Sequence, residues 1–365
     1  MKVLSVVGAR PQFIKAAPVC RALRAAHEEV LVHSGQHYDY EMSDVFFEQL
    51  GIPKPDFNLA VGSGSHGRQT GEMLGALEEL FIEQRPDVVL VYGDTNTTLA
   101  AGLAAAKALV PVAHVEAGLR SFNRTMPEEV NRVLVDHLSD VLFCPTRAAV
   151  GNLAAEGISH GVHLVGDVML DTARFFSEDS DGTEALARFG VDAGGYYLAT
   201  VHRAGTSDSR SRLESVIRAF SRLGRPVVWA LHPRTRKNIE TFGLDAALAA
   251  ATNVRVVPPV SYADSVALLK NAAALLTDSG GMQKEAYFFG VPCVTLRDET
   301  EWIETVELGW NRLAGTDEAT IVEAVEGITV PTSRPDVYGD GQAAEAIVSA
   351  LEARFDARSA ASVVE

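Results

Sequence analysis

Two apolar runs in the first half of the chain each end in a carboxylate. Residues 88–92 lead into Asp94, and residues 111–115 lead directly into Glu116. A third acid, Glu128, stands where the next helical pattern opens. In open α/β sheets the ligand lies outside the carboxyl ends of the strands, so we expect these acids at one rim. Carboxylates placed there, with arginines between them, indicate proton transfer beside a bound anion.

Two of these acids also have a purely structural interpretation. Asp94 is placed to cap a helix beginning near Thr95. Thr125 and Glu128 fit the S/T-x-x-E pattern of a capping box. Glu116 has no comparable capping role, since a glycine follows two residues later. We therefore rank the acid–base candidates with Glu116 first, Asp94 second and Glu128 third.

The second half of the chain carries a pattern suited to a phosphate. A buried apolar run is followed by Ser279, Gly280 and Gly281, which open a helical stretch. Paired glycines let backbone N–H groups approach a phosphate, and a helix N-terminus adds partial positive charge. Glu285, further along the same stretch, is placed to accept hydrogen bonds from ribose hydroxyls. The alternative, equally open from the residues alone, is that Ser279 caps the helix and the glycines make the turn.

Cations and histidines stand at other strand ends. Arg10 and Lys15 lie at and just after the end of the first strand, where paired cations neutralise a diphosphate. His202 and His232 close two strands of the second half. The alternative for the two cations is that they are solvated surface charges, and the alternative for the two histidines is a structural role. Residues 8–12 do not form a GxGxxG dinucleotide fingerprint, and the second-half loop is not a P-loop. A bound NAD is therefore not supported. We also expect no other cofactor and no metal.

Strand and helix patterns alternate along the whole chain. Predicted strands lie at residues 3–7, 29–33, 88–92, 111–115, 140–144, 162–165, 196–201, 227–231, 254–257, 273–277 and 292–296. A second helix is predicted at 38–50, and 51–67 is predicted to be a long loop. The predicted fold class is α/β, with two Rossmann-like doubly wound domains facing a cleft. The first domain spans 1–170 and is joined by a C-terminal helix at 341–358, and the second, nucleotide-binding domain spans 171–340.

Composition narrows the class of protein. Hydrophobic residues make up 47% and charged residues 22% of the 365, which is typical of a globular enzyme. A formal net charge of −16 disfavours nucleic acid as a partner. The cysteines, Cys20, Cys144 and Cys293, are far apart, which favours reduced thiols in a cytoplasmic protein. The apolar run at 3–7 is too short for a signal peptide, and no run reaches membrane-spanning length, so we expect no membrane partner.

Several short motifs occur in succession along the chain. They are Gly8-Ala9-Arg10-Pro11 with Lys15, Gln36-His37, Gly93-Asp94-Thr95, His114-Val115-Glu116-Ala117-Gly118-Leu119-Arg120, Pro127-Glu128-Glu129 with Asn131-Arg132, Thr200-Val201-His202-Arg203, Asp278-Ser279-Gly280-Gly281, and Leu296-Arg297 with Thr300-Glu301. Over nearly the whole chain, this set resembles the UDP-N-acetylglucosamine 2-epimerases, particularly the non-hydrolysing bacterial branch. The resemblance implies a glycosyltransferase-B type fold, a UDP-sugar substrate, no redox cofactor and a homodimer.

The resemblance also implies a role for individual residues. The catalytic residues that it implies are Asp94, Glu116, Glu128 and His202. The substrate-binding residues that it implies are Arg10, Lys15, Ser279, Gly280, Gly281, Glu285, Arg297, Thr300 and Glu301, with His202 also at the diphosphate. A second, regulatory substrate site, found in some bacterial members, is matched by Gln36, His37, Arg68 and His232.

Two motifs depart from the pattern of many family members. The histidine motif of those members reads His-Arg-x-Glu-Asn, whereas here residues 202–206 read His-Arg-Ala-Gly-Thr. Those members also have Thr-Glu-Arg-Pro where residues 300–303 read Thr-Glu-Trp-Ile. The second departure resembles a sub-branch that includes enzymes for more elaborate UDP-sugars.

The expected activity is epimerisation at C2 of a UDP-2-acetamido sugar, by elimination and re-addition of UDP. The resemblance favours interconversion of UDP-N-acetylglucosamine and UDP-N-acetylmannosamine. The alternatives are a hydrolysing epimerase that releases N-acetylmannosamine and UDP, an epimerase for a modified UDP-2-acetamido sugar, a glycosyltransferase of the same fold, and a non-catalytic nucleotide-sugar sensor. The acids at 94, 116 and 128 argue against a sensor.

Overall fold

The chain divides into two compact units, each built on one parallel sheet. A computed structural model describes residues 1–36, 50–178 and 182–361. Unit 1 is Met1–Arg174 together with the chain from Asp336 onward, and unit 2 is Phe175–Pro335. The helix expected at 38–50 lies outside the described residues except at its last position.

Unit 1 contains a seven-stranded sheet in which all neighbouring strands are parallel. Its strands are β1 (Lys2–Val7), β2 (Glu28–His33), β3 (Phe57–Asn58), β4 (Val88–Tyr92), β5 (Val112–Val115), β6 (Val141–Cys144) and β7 (Val162–Leu164). The spatial order is β3-β2-β1-β4-β5-β6-β7, which is the doubly wound order with a switch between β1 and β4. Four of the central strands are apolar and buried along nearly their whole length, as expected where helices cover both faces.

Helices connect the strands of unit 1. They are α1 (Arg10–Arg24), α2 (His66–Gln84), α3 (Asn96–Lys107), α4 (Pro127–Leu138), α5 (Arg147–Ala155), α6 (Val168–Glu178), whose last residues enter unit 2, and the C-terminal α16 (Ala343–Ala361). Helix α16 packs on α1, and His27, three residues beyond the end of α1, contacts Glu352 at 2.8 Å. The predicted loop at 51–67 contains the short strand β3, and α2 begins at its last two residues, so that prediction is wrong in part.

Unit 2 repeats the architecture with a six-stranded parallel sheet. Its strands are β8 (Tyr197–Thr200), β9 (Val227–Ala230), β10 (Val254–Val257), β11 (Ala274–Thr277), β12 (Cys293–Thr295) and β13 (Asn311–Leu313), in the order β10-β9-β8-β11-β12-β13. Its helices are α7 (Thr183–Phe189), α8 (Ala204–Ser207), α9 (Arg210–Arg222), α10 (Pro233–Phe242), α11 (Asp245–Ala250), α12 (Tyr262–Lys270), α13 (Gly280–Phe289), α14 (Ile303–Glu307) and α15 (Glu318–Glu326). The expected α/β class with two Rossmann-like sheets is confirmed.

Each unit has its own apolar core. In unit 1, valines of β1 and β4 pack with Met73, Leu77 and Phe81 of α2 and with alanines of α3. In unit 2, Phe220 of α9 packs edge-to-face on Trp229 of β9, with ring centroids 5.3 Å apart. Among the helices in the described ranges, none is both long and apolar enough to span a bilayer.

Candidate active site

The switch point of unit 1 lies between β1 and β4, whose register pairs Val6 with Val91. The chain leaves these strands through Gly8 and through Gly93, so both loops lie at the carboxyl edge of the sheet. In doubly wound folds this edge, at the switch point, is where ligands bind. Arg10 is the first residue of α1 at this edge.

The loop after β1 is held together by Gln12. The Gln12 side-chain oxygen accepts hydrogen bonds from the amides of Gly8 and Ala9, at 2.8 and 3.0 Å. Its side-chain nitrogen donates to the carbonyl of Tyr92 at the end of β4, at 2.9 Å. In a dinucleotide-binding loop such amides face the pyrophosphate, but here an internal acceptor occupies them. The loop is therefore not built like a dinucleotide cradle.

Glu116 lies directly after β5, with its carboxylate buried against Gly93. Its side chain is only 6% exposed and pairs with the ammonium of Lys15 on α1, which is 10% exposed. A Cβ on Gly93 would lie 3.3 Å from Glu116 Oε2 and 3.2 Å from Lys15 Nζ, so the glycine makes room for both. The backbone of Glu116 has φ +70°, a strained value for a residue with a side chain. Such strain is concentrated at functional sites.

Asp94 follows β4 and is anchored by an arginine. Arg132 on α4 donates to Asp94 Oδ2 at 2.5 Å and to Glu129 Oε2 at 3.0 Å. The alternative that Asp94 caps α3 is wrong, because Thr95 is the N-cap residue and its hydroxyl accepts from the amide of Thr98. About a quarter of the Asp94 side chain is exposed, so this carboxylate is both oriented and accessible.

Glu128 lies in the first turn of α4 and is half-buried. The capping box expected from Thr125 is wrong: Met126 is the N-cap residue, and Thr125 Oγ1 donates to Asn123 Oδ1 at 2.7 Å. The helix starts one residue later than a Thr125 cap requires, because Pro127 occupies the first helical position, where its fixed φ is favourable. Glu128 is therefore not a capping residue.

The switch point of unit 2 lies between β8 and β11, whose register pairs Thr200 with Thr277. Asp278, directly after β11, is fully buried. Its carboxylate accepts from the amide of His202 at 3.0 Å and from that of Arg203 at 2.9 Å. The buried Asp278 thus fixes the loop that carries the histidine and arginine at the end of β8.

His202 and His232 lie side by side at this edge of unit 2. Their ring centroids are 5.6 Å apart with a 36° tilt between the planes. His202 Nδ1 also lies 3.7 Å from a carboxylate oxygen of Asp278. His232 is the exposed N-cap residue of α10, and its Nδ1 accepts from the amide of Arg234 at 3.2 Å. The residue expected in a regulatory site therefore neighbours the residue expected at the diphosphate.

The other residues expected in a regulatory site are in unit 1 or outside the described residues. Gln36 Oε1 accepts from the amide and hydroxyl of Thr97, at 3.1 and 2.7 Å, near the start of α3. Arg68 on α2 is exposed and donates to Glu72 at 2.7 Å, and this hydrogen bond raises the pKa of Arg68. His37 lies outside the described residues.

Helix α13 begins at Gly280, at the carboxyl edge of the unit 2 sheet. Ser279 is the N-cap residue of this helix, as the alternative predicts, but its side chain makes no capping hydrogen bond. A Cβ on Gly280 would lie 3.4 Å from Trp302 Nε1, 3.8 Å from Arg203 Nη2 and 3.8 Å from Oε2 of Glu301, a carboxylate that is paired with Arg297. First-turn amides have no acceptor within their own helix, and an indole N–H and a guanidinium lie near them. This set of donors, with Gly281 in the same turn, suits an anion.

The remaining residues expected to bind substrate lie around the same helix. Glu285 is buried in α13 and accepts from the Tyr262 hydroxyl at 2.8 Å. Arg297 donates with both terminal nitrogens to the carboxylate of Glu301, each at 3.2 Å. Thr300 donates to a side-chain oxygen on α13 at 2.6 Å. Arg297 and Glu301 are thus paired with each other, which fixes the segment after β12.

Sequence reasoning missed a cation beneath this segment. Lys284 is fully buried in α13, and its ammonium lies 3.9 Å from the centroid of the Trp302 ring. A cation over an indole face is a favourable contact, and stronger when water is excluded. The sequence feature that could have indicated this cation is Trp302, which stands where many family members have arginine. Arg132, Glu129 and Asp278 also escaped individual prediction, although each stands inside a motif noted in the sequence.

A doubly wound architecture with anchored carboxylates at its strand ends defines an α/β enzyme equipped for acid–base chemistry. Within that class, the chain belongs to the UDP-N-acetylglucosamine 2-epimerase family, whose profile matches residues 21–352. Across the part of the chain that the structure describes, no group of three or more His, Cys, Asp or Glu side chains is arranged to hold a metal ion.

Individual relatives are similar over nearly their whole length. A UDP-N-acetylglucosamine 2-epimerase homolog of Methanococcus maripaludis is 48% identical, over 96% of this chain and 99% of the relative. The UDP-2,3-diacetamido-2,3-dideoxy-D-glucuronate 2-epimerase of Pseudomonas aeruginosa is also 48% identical, with the same two coverages. The crystal structure of Methanocaldococcus jannaschii UDP-GlcNAc 2-epimerase in complex with UDP-GlcNAc and UDP is 41% identical, with a TM-score of 0.88 over 96% of this chain and 99% of that one.

Proposed function

We propose that this chain inverts C2 of a UDP-2-acetamido sugar by eliminating UDP and adding it back. The observation that carries the proposal is the pair of anchored carboxylates at the ends of neighbouring strands. Glu116 is held against Lys15, and Asp94 is held by Arg132. Two oriented acid–base groups are what an inversion needs, because one face of the carbon loses a proton and the opposite face gains one.

The reaction follows from the weak acidity of the C2 hydrogen, which has no neighbouring carbonyl. The C1–O bond breaks first, its electron pair leaves with UDP, and C1 becomes oxocarbenium-like. A carboxylate then removes the C2 proton, and the electrons of the C–H bond form the C1=C2 double bond of a 2-acetamidoglucal. Protonation of C2 from the other face and return of UDP to C1 complete the inversion. No electron is gained or lost overall.

Glu116 and Asp94 are the acid–base groups in this proposal. Glu116 is first because it is the more buried carboxylate and stands on a strained backbone. Asp94 is second because Arg132 orients it while leaving it accessible. Glu128, in the first turn of α4, is the third candidate. Positioned acid–base catalysis of this kind contributes about 10²–10⁴-fold.

Unit 2 holds the UDP in this proposal. The first-turn amides of α13 at Gly280 and Gly281, with Ser279 before them, bind the diphosphate, and His202 contributes its ring. Glu285 accepts from the ribose hydroxyls, and the segment containing Arg297, Thr300 and Glu301 lies beside it as a further substrate contact. Donors fixed in place before the reaction stabilise the charge that develops on departing UDP.

Unit 1 carries two cations, Arg10 and Lys15, that we propose bind the diphosphate. Arg10 begins α1 at the switch point, where a guanidinium suits a diphosphate. Lys15 lies against Glu116, so we assign it a double role, holding the carboxylate and contributing positive charge near the leaving group.

One experiment tests the core of the proposal. The protein is incubated with UDP-N-acetylglucosamine in deuterated water, and C2 and the products are followed by NMR. We expect deuterium at C2 of a product that still carries UDP. Free N-acetylmannosamine and UDP as end products would support the hydrolysing alternative, and a stable product with protium at C2 would refute elimination.

A second candidate substrate is UDP-2,3-diacetamido-2,3-dideoxyglucuronate. It is favoured by the 48% identical relative from Pseudomonas aeruginosa and by Trp302, which stands where many family members have arginine. The same deuterium experiment with both sugars, compared by kcat/KM, decides between them. The sugar with the higher ratio is the substrate, and either outcome leaves the chemistry at C2 unchanged.

We propose in addition a homodimer, located in the cytoplasm, with a regulatory substrate site. The homodimer rests on the family resemblance, and light scattering should give twice the chain mass of 39.1 kDa. The free, buried state of all three cysteines supports a reducing compartment. The family resemblance assigns Gln36, His37, Arg68 and His232 to a regulatory site, and sigmoidal substrate dependence that Arg68→Ala abolishes would support that assignment.

A further inference from the structure

A histidine in the middle of unit 1 is bonded at both ring nitrogens. His114 lies in β5 and is completely buried. Its Nδ1 is 2.7 Å from Asp136 Oδ1 on α4, and its Nε2 is 2.7 Å from the carbonyl oxygen of Gly93. A backbone carbonyl can only accept a hydrogen bond, so Nε2 must donate to it.

Asp136 is an acceptor in the same way. Burial alone raises its pKa, but the hydrogen bond and charge of His114 and those of Arg120 outweigh burial and lower the pKa of Asp136 below its ordinary value. One proton is shared between His114 Nδ1 and Asp136 Oδ1 at 2.7 Å, and Nε2 carries the proton donated to Gly93. The ring and the carboxylate thus form a buried hydrogen-bonded pair.

The second oxygen of Asp136 reaches the loop that carries Glu116. Asp136 Oδ2 accepts from the amide of Gly118 at 3.1 Å and from Arg120 Nη1 at 2.7 Å. Arg120 in turn donates through Nε and Nη2 to the two oxygens of Glu156, at 2.6 and 2.8 Å. Both carboxylate oxygens of Asp136 thus accept from segments near the site.

These bonds join three segments that carry candidate acids. Gly93 directly precedes Asp94, and Gly118 follows Glu116 by two residues. Asp136 itself lies on α4, the helix that carries Glu128 and the arginine that anchors Asp94. We propose that His114 and Asp136 act as a positioning pair that sets the separation of the catalytic carboxylates, an inference that rests on the proposed epimerase function.

The expected effect is large because acid–base geometry is demanding. A displacement of about 1 Å at a reacting group costs on the order of 10²-fold in rate. Neither His114 nor Asp136 is exposed, so neither touches a substrate. Loss of the pair should therefore lower kcat and leave the affinity for UDP within about twofold, because neither residue is among the proposed UDP contacts.

Two variants divide the pair into its two hydrogen bonds. In His114→Asn the amide nitrogen takes the place of Nδ1, so the bond to Asp136 is kept and the bond to Gly93 is lost. In His114→Gln the amide nitrogen takes the place of Nε2, so the bond to Gly93 is kept and the bond to Asp136 is lost. The first loosens the Asp94 loop, and the second loosens the Glu116 loop.

The readout is deuterium at C2 in both sugars as well as kcat. We expect kcat to fall at least about tenfold in both variants. The ratio of deuterium in product to deuterium in recovered substrate should shift in opposite directions, because each variant disturbs the acid on a different face. If the pair had a merely structural role, the deuterium content of product and of recovered substrate would fall by the same factor in both variants. Unchanged kcat, or the same shift in both variants, would overturn the proposal.

Val135→Ala is the matched control. Val135 is fully buried on α4 next to Asp136, but its side chain takes no part in the hydrogen bonds of His114 and Asp136. It should lower the melting temperature while leaving kcat within about twofold and the deuterium ratio unchanged. If it reduces kcat as much as the histidine variants at an equal loss of melting temperature, the effect is general loosening and the proposal is wrong.

A measurement on the wild-type protein does not depend on any variant folding. With ¹⁵N-labelled histidine, a slowly exchanging proton should be found in each of the two hydrogen bonds of His114, and Asp136→Asn should change the signal of the Nδ1 hydrogen bond alone. Absence of the proton from either hydrogen bond would overturn the pair. Absence of deuterium exchange in the wild type, with both protons present, would instead refute the proposed function and leave the hydrogen-bonded pair intact.

Discussion

Replacing Glu116 by glutamine separates its chemical role from its structural one. The substitution removes the negative charge and keeps an oxygen that can accept from Lys15. The lysine is then left as a buried cation beside a neutral amide, because its side chain is only 10% exposed. Removing one partner of a buried ion pair costs about 3–5 kcal/mol, and the retained acceptor places this case near 3 kcal/mol.

The expected loss of stability is measurable. For a domain of this size each kcal/mol lowers the melting temperature by about 2–4 °C, so Glu116→Gln should lower the transition of unit 1 by about 6–12 °C. Its kcat should fall by about 10²–10⁴-fold, because the amide cannot exchange the C2 proton. Scanning calorimetry and the deuterium assay measure the two effects independently.

The double variant Lys15→Met with Glu116→Gln makes the prediction decisive. Methionine has a similar length and no charge, so a neutral pair should recover most of the lost melting temperature. Turnover should stay as low as in Glu116→Gln. A melting temperature within about 2 °C of wild type in the single variant would show that the ion pair is not buried as described. Recovery of turnover in the double variant would show that Glu116 does not transfer the proton.

Further predictions concern stability and reactivity. Burial raises the pKa of Asp171 to about 6, so its contribution to stability is full below about pH 4 and is lost as the pH rises through 6. Thermal unfolding should show Asp171→Asn gaining on wild type across that window, and parallel curves would contradict this. Gly8→Ala should destabilise, because its Cβ would lie 2.0 Å from Ser34 Oγ, whereas Gly75→Ala, with no atom within 4 Å in α2, should stabilise by up to about 1 kcal/mol. Burial raises the pKa of Cys293 to about 12, so mass spectrometry should find it unalkylated at pH 8 until the protein is unfolded.

The strand framework and the places where it ends were predictable from the sequence. The strands at 88–92 and 254–257 have the expected bounds, because Asp87 or Asn253 precedes each strand and Gly93 or Pro258 follows it. Strand β13, at Asn311–Leu313, was missed because three residues, two of them polar, show no period. It is held by its pairing with β12, a contact that local sequence does not encode.

The partners of the catalytic candidates were not predictable in the same way. Lys15 and Glu116 are 101 residues apart, and their contact exists because α1 and the end of β5 meet at one edge of the sheet. The capping box at Thr125 failed for a local reason, since Pro127 fixes where α4 begins. Two local patterns, the capping box at Thr125 and the proline at 127, predict different first residues for α4, and the structure shows that the proline determines it.

The two switch points of this chain have the same topology and differ in the residues directly after each strand. In unit 1 the loop amides after β1 are occupied by Gln12, and the carboxylate of Asp94 comes after the neighbouring strand. In unit 2 the carboxylate of Asp278 occupies the amides after β8, and the N-terminus of α13 stands beside Arg203 and Trp302. The arrangement in unit 1 suits proton transfer and the arrangement in unit 2 suits anion binding, although the strands at both switch points are arranged alike. The chemistry therefore depends on these few loop residues, which is why Asp278→Asn should weaken UDP binding without changing the fold of the sheet.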